Sequence, residues 1–197
     1  MTTTRLEAFS DGVLAIIITI MVLEIKVPHD TSWAAVTKLL PIFNSYLLSF
    51  IFVGIYWGNH HHLLHTVKHV SWKIIWANMH LLFWLSLIPF ATGWMGENHF
   101  EKNTVVVYGT VLLLAAIAFT ILQLIIQSEH PKDSQIGAAL KKLHAKGYFS
   151  LFLYIGAITS AFFNTTVSMV MFVIVAITWL IPDRNIEKAI IKSESSS

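Results

Sequence analysis

Apolar residues run along this chain in blocks of about 20, separated by short polar interruptions, which is the pattern of helices that cross a bilayer rather than of half-buried strands. Six blocks emerge. The first runs from Arg5 to Val27 and is closed by Pro28, His29 and Asp30. The second spans Pro41 to His65, and the preceding TSWAAVTKLL reads as a short interfacial segment leading into it. A third extends from Trp72 to Met95 with Pro89 late in the span, where neighbouring helices can re-satisfy the freed carbonyl. The fourth covers Asn103 to Gln127, and the stretch from Ser128 to Gly147 reads as the longest polar connection. The fifth, Tyr148 to Phe163, and the sixth, Thr165 to Ile181, are separated by a tight turn near Asn164 and form an antiparallel hairpin.

Composition agrees with that pattern: 55% of the 197 residues are apolar and 12% charged, where a soluble domain carries about 25% charged residues. The fold class is therefore all-α, a polytopic membrane protein in the lipid bilayer with six transmembrane helices over residues 1–183 and a short polar tail at 184–197. The first block is too long for a signal-peptide core and no small-residue cleavage site follows it, so it is expected to remain. Ten of the 13 Lys and Arg residues fall on one side of this arrangement, which puts both termini in the cytoplasm. No internal repeat is visible. The absence of cysteine excludes disulfides, thiolate metal sites and thiol nucleophiles. With a net charge of +2 and no basic stripe or recognition motif, nothing points to nucleic acid.

Polar groups within the blocks carry the remaining information, because ionisable residues in a spanning segment are costly and mark function by default. The first block begins with Arg5, Glu7, Ser10 and Asp11 and is then apolar to Val22 except for Gly12 and Thr19. At about 100° per residue, Gly12, Ile16, Thr19, Ile20 and Leu23 fall within roughly 60° of one direction, while Asp11 points about 140° away. One helix thus has two faces with different tasks. The aliphatic stripe could simply pack against neighbours. The carboxylate of Asp11 needs a partner, and YWGNHHHLLH at the end of the second block offers Trp57, Asn59, His60, His61, His62 and His65 at the same depth.

His61 and His65 have the i, i+4 spacing of two metal ligands, but no glutamate follows His61 and no cysteine or carboxylate completes a tetrahedral set. No metal or cofactor is expected. A hydrogen-bond network is the better reading, with imidazole N–H groups and the Trp57 indole donating to Asp11 and Ser10. Proton sensing is the secondary one, since histidine titrates near neutrality. Nucleophile elbows, phosphate-binding loops and paired catalytic carboxylates are all missing, so an enzyme is not expected.

RLEAFSDGVLAI resembles the R-x-x-x-F-S-D motif on the first helix of the potassium channel family named for transmembrane protein 175, through Arg5, Phe9, Ser10 and Asp11. The second block resembles that family's W-x-x-H-H pattern at Trp57, His60 and His61, and the third resembles it at Asn78, Pro89 and Phe90. The resemblance implies a potassium-selective cation channel in a cell membrane, with a bacterial plasma membrane expected for a chain holding a single repeat. It implies a homotetramer whose pore is lined by the first helix, with Ile16, Thr19, Ile20 and Leu23 at the constriction. Arg5, Phe9, Ser10, Asp11, Trp57, His60 and His61 would tie that helix to its neighbours. The chain has no TVGYG loop to replace a hydration shell with carbonyls, which leaves Ile16 and Leu23 as a hydrophobic gate and Thr19 as the oxygen-bearing layer. Glu24 reads either as a cation-attracting acid at the outer mouth or as an ordinary interfacial acid. The alternatives from other classes are a small secondary transporter or proton-coupled carrier, and a non-conducting scaffold.

Overall fold

The computed structural model describes residues 2–130 and 135–180, with side chains at 2–130 and 144–180, and is helical throughout with no strand among the described residues. Helix α1 covers Thr3–Leu23, α2 is a short turn at Trp33–Thr37, and α3 covers Leu40–Leu64. The third block appears as α4 (Trp72–Ser86) and α5 (Ile88–Glu97), followed by α6 (Lys102–Ser128), α7 (Gln135–Ser160) and α8 (Thr165–Leu180). Counting α4 and α5 as one segment, four helices are long and apolar enough to cross a membrane, and α8 is a shorter apolar helix.

Local chemistry sets these boundaries. Thr2 caps α1 by accepting from the Arg5 N–H, and Ser71 caps α4 by accepting from the Ile74 N–H, each satisfying a donor that a helix start leaves open. The third block is interrupted at Leu87 because Pro89 has no N–H to donate to the preceding turn. The helix tightens there through Leu87 N–H to Trp84 and resumes with Ala91 N–H to Leu87.

The largest departure from the sequence reading is α7. The stretch expected as a polar connection is helical from Gln135 onward, so the fifth helix starts well before Tyr148. Ala, Leu, Lys and Gln are strong helix formers, and their polarity marks where a helix leaves an apolar environment rather than where it begins. Lys132, the side chains of Lys141 and Lys142, and the chain from Ile181 onward, including the tail and its charges, lie outside the described residues.

Helix α6 packs along α4 and α7, α3 packs along α5, and α1 leans on α3, α4 and α5. The α3–α5 crossing is close. A Cβ at Gly96 would fall 2.8 Å from Ile42 Cα and still nearer to Ser45 Oγ, so the two helices approach through glycine and serine as membrane helices commonly do. A layer of buried hydroxyls sits on the same interface: Thr92 donates to Ser49, which bonds the Tyr108 hydroxyl at 3.0 Å. Because backbone cannot yield as a side chain does, Gly96→Ala should destabilise the purified protein by about 1–3 kcal/mol. Gly147→Ala, whose Cβ would meet only Thr120 Oγ1 at 3.8 Å, should be neutral or stabilising. Thermal unfolding of both variants in detergent checks the contrast.

Candidate functional site: the uncovered face of α1 and its braced foot

Helix α1 buries Leu6, Ser10, Leu14, Ile17 and Met21 against its neighbours, a stripe at 3- and 4-residue spacing. The opposite stripe is bare. Ile16 is 58% exposed, Ile20 43% and Leu23 75%, and Gly12 and Thr19 are exposed beside them. The Thr19 hydroxyl donates back to its own helix, to Ala15 O at 3.1 Å and Ile16 O at 2.9 Å. Its proton is therefore spent on the backbone, and what Thr19 offers outward is oxygen lone pairs. Along this stripe, Thr19 lies between the aliphatic side chains of Ile16 and Leu23.

Besides Thr3, which donates its hydroxyl to Val67 O at 3.1 Å, three side-chain contacts hold the foot of α1. Trp57 on α3 donates its indole N–H to Asp11 Oδ1 at 3.0 Å. His61 Nδ1 pairs with the Glu7 carboxylate. The third contact is a buried chain that runs across three helices. Ser10 donates its hydroxyl to Leu6 O at 2.9 Å, so its oxygen must accept, and it does so from Asn78 Nδ2 at 2.9 Å. That turns Asn78 Oδ1 toward His60 Nε2 at 2.7 Å. The imidazole must then carry its proton on Nε2, while Nδ1 is buried without a partner.

Sequence reasoning had the imidazoles reaching Ser10 directly; Asn78 of α4 stands between them, and Glu7 takes His61. The signal for Asn78 was present, as an amide in a membrane span, and its role follows only from the α1–α4 contact. The Arg5 guanidinium is exposed and makes no hydrogen bond or ion pair among the described residues, and Phe9 is also exposed. His61 and His65 meet edge to face, with ring centroids 5.1 Å apart. Among the described residues no group of three or more His, Asp and Glu is arranged to hold a metal ion.

At its C-terminal end α1 leads into Lys26, whose ammonium donates to Glu97 Oε1 at 2.6 Å; that bond raises the Lys26 pKa and keeps the group charged. Between α1 and α5 lies an open groove of about 670 Å³. Its walls include Ile16, Ile20 and Glu24 on one side and Phe90 and Trp94 on the other.

The family described as "Endosomal/lysosomal potassium channel TMEM175" matches residues 5–89, the segment that holds α1, the foot network and the interruption before α5. A potassium channel of Chryseobacterium sp. strain P1-3 is 52% identical over 190 residues, covering 96% of this chain and 98% of that relative. This chain belongs to the TMEM175 family. The family is one of channels, not enzymes. A crystal structure titled as a lysosomal potassium-selective channel TMEM175 homolog from Chamaesiphon minutus superposes with a TM-score of 0.81 at 28% identity, covering 90% of this chain and 95% of that one. The TMEM175 of chicken, described as an endosomal/lysosomal proton channel, is 28% identical over 178 residues, which is 82% of this chain and 36% of that protein.

Proposed function

We propose that this chain conducts potassium in preference to sodium, as a homotetramer in which four copies of α1 surround the pore. The observation that carries the reading is the bare stripe of Ile16, Thr19, Ile20 and Leu23 on a helix whose opposite face, Leu6, Leu14, Ile17 and Met21, is packed. Exposed aliphatic side chains on one face of an intramembrane helix call either for lipid or for copies of themselves. The polar foot favours copies: Glu7 and Asp11 lie at the margin of the same helix, and such groups are normally turned toward protein or a water-filled cavity.

In this arrangement Ile16 and Leu23 form hydrophobic constrictions that conduct only when wetted. They cannot replace a hydration shell, so they favour the ion that sheds or deforms its water more easily. Thr19, with its hydroxyl proton held by the backbone, supplies the ring of oxygen acceptors between them. Selectivity should be modest compared with a carbonyl-lined filter. The foot network braces α1, which suits Ser10, Asp11, Trp57, His60 and His61. The positive-charge bias of the loops supports cytoplasmic termini, and the bacterial relatives support a bacterial plasma membrane.

The decisive experiment is a potassium and sodium flux assay on purified, reconstituted protein, paired with its oligomeric mass. Passive flux that follows the potassium gradient from a particle of four chains is expected. Saturable, stoichiometrically coupled transport would instead favour a carrier, and a correctly assembled particle without flux would favour a scaffold.

A further inference from the structure

The outer end of α1 holds a carboxylate that neither the foot network nor the constriction uses. Glu24 caps α1, its backbone N–H bonding to Met21 O and Val22 O, so its position is fixed by the end of the lining helix. Its side chain lies flat on α5 at Gly93. A Cβ at Gly93 would stand 2.9 Å from Glu24 Oε2 and 3.2 Å from its Cδ and Cγ. Only glycine leaves room for the carboxylate in that seat.

Three features make the charge effective there. Glu24 lines the α1–α5 groove together with Ile16 and Ile20, so it shares a wall with residues of the proposed pore. The other acid of the groove, Glu97, is bound by Lys26 at 2.6 Å, and the same ammonium lies within the field of Glu24, so one cation faces two acids and one net negative charge is left at this end. Finally, the last turn of α1 has no basic residue, so the negative end of the helix dipole adds to the carboxylate instead of being cancelled.

We propose that Glu24, seated on Gly93, sets the supply of potassium to the outer end of the pore. The inference rests on the channel reading and adds to it a residue that governs conductance rather than discrimination. In a fourfold assembly, four such charges raise the local cation concentration at one mouth, in the way that a cleft of one sign focuses its counter-ions. The effect is electrostatic and reaches as far as the Debye length, about 30 Å at 0.01 M salt and about 3 Å at 1 M.

Single-channel recording in symmetric potassium chloride tests this. At about 0.01 M the wild type should rectify, passing more current in the direction that enters at the Glu24 end, and at about 1 M the rectification should fade. Glu24→Gln should lose the low-salt rectification and lower that current several-fold, with the difference from wild type shrinking as salt rises. Gly93→Ala keeps the charge but unseats it and should weaken the rectification, with no further change when combined with Glu24→Gln. If Glu24→Gln rectifies at low salt as the wild type does, or if it lowers current equally at both salt concentrations, the proposal is wrong while the channel reading stands. If the wild type passes no potassium at any salt, the channel reading itself has failed.

Discussion

Ile16→Asn is expected to raise potassium conductance by about tenfold or more, which corresponds to roughly 1.4 kcal/mol or more removed from the permeation barrier. Ile16 is the first exposed aliphatic residue above the foot, and the next layers are Thr19, Ile20 and Leu23. In the proposed tetramer four sec-butyl groups would hold water out of a narrow passage, and an ion that crosses would do so nearly bare or wait for the passage to wet. An amide of similar length keeps the passage wet, so conduction no longer waits. Discrimination should fall at the same time, since a hydrated passage treats potassium and sodium more alike. Conductance and reversal potential under mixed-cation conditions read both effects. If neither changes in a correctly assembled particle, Ile16 does not face the conduction path.

Asn78→Leu should cost about 2–6 kcal/mol of stability, because it strips partners from two buried groups at once and each unsatisfied group costs about 1–3 kcal/mol. His60 Nε2–H would lose its acceptor and Ser10 Oγ its donor, and both side chains are buried. The same bonds join α3 to α4 and α4 to α1, so the loss should appear as weakened attachment of α1. Ser10→Ala, which leaves a single amide N–H unpaired, should lie nearer 1–3 kcal/mol. Thermal unfolding and recovery of the intact oligomer by size-exclusion chromatography measure both variants. A potassium-to-sodium ratio that changes with no loss of stability would mean that the foot takes part in selection after all.

What could be read from the sequence, and what could not, divides along physical lines. The first four spans were legible because an apolar block of about 20 residues has few alternatives in a bilayer. The aliphatic stripe was legible because α1 buries Leu6, Leu14, Ile17 and Met21 and bares Ile16, Thr19, Ile20 and Leu23, and helical period alone separates the two sets. The start of α7 was not legible, since hydropathy reports solvent and not backbone conformation. The foot network was half legible. Asp11 in a span demands a partner and Trp57 supplies it, but the amide that links Ser10 to His60 comes from a third helix, and no local pattern says which helix leans on which. The seat of Glu24 on Gly93 belongs to the same class, being a contact between residues 69 positions apart in sequence.

An imidazole, an amide and a hydroxyl in a row have the outline of a proton wire, yet this one cannot carry protons. Every donor points the same way, from His60 through Asn78 and Ser10, and the series ends on Leu6 O, a carbonyl with nothing to pass on. The amide in the middle would have to become an imidic acid for a proton to hop across it. His60 is thus insulated from α1 along this path, whereas His61 touches the Glu7 carboxylate of α1 directly.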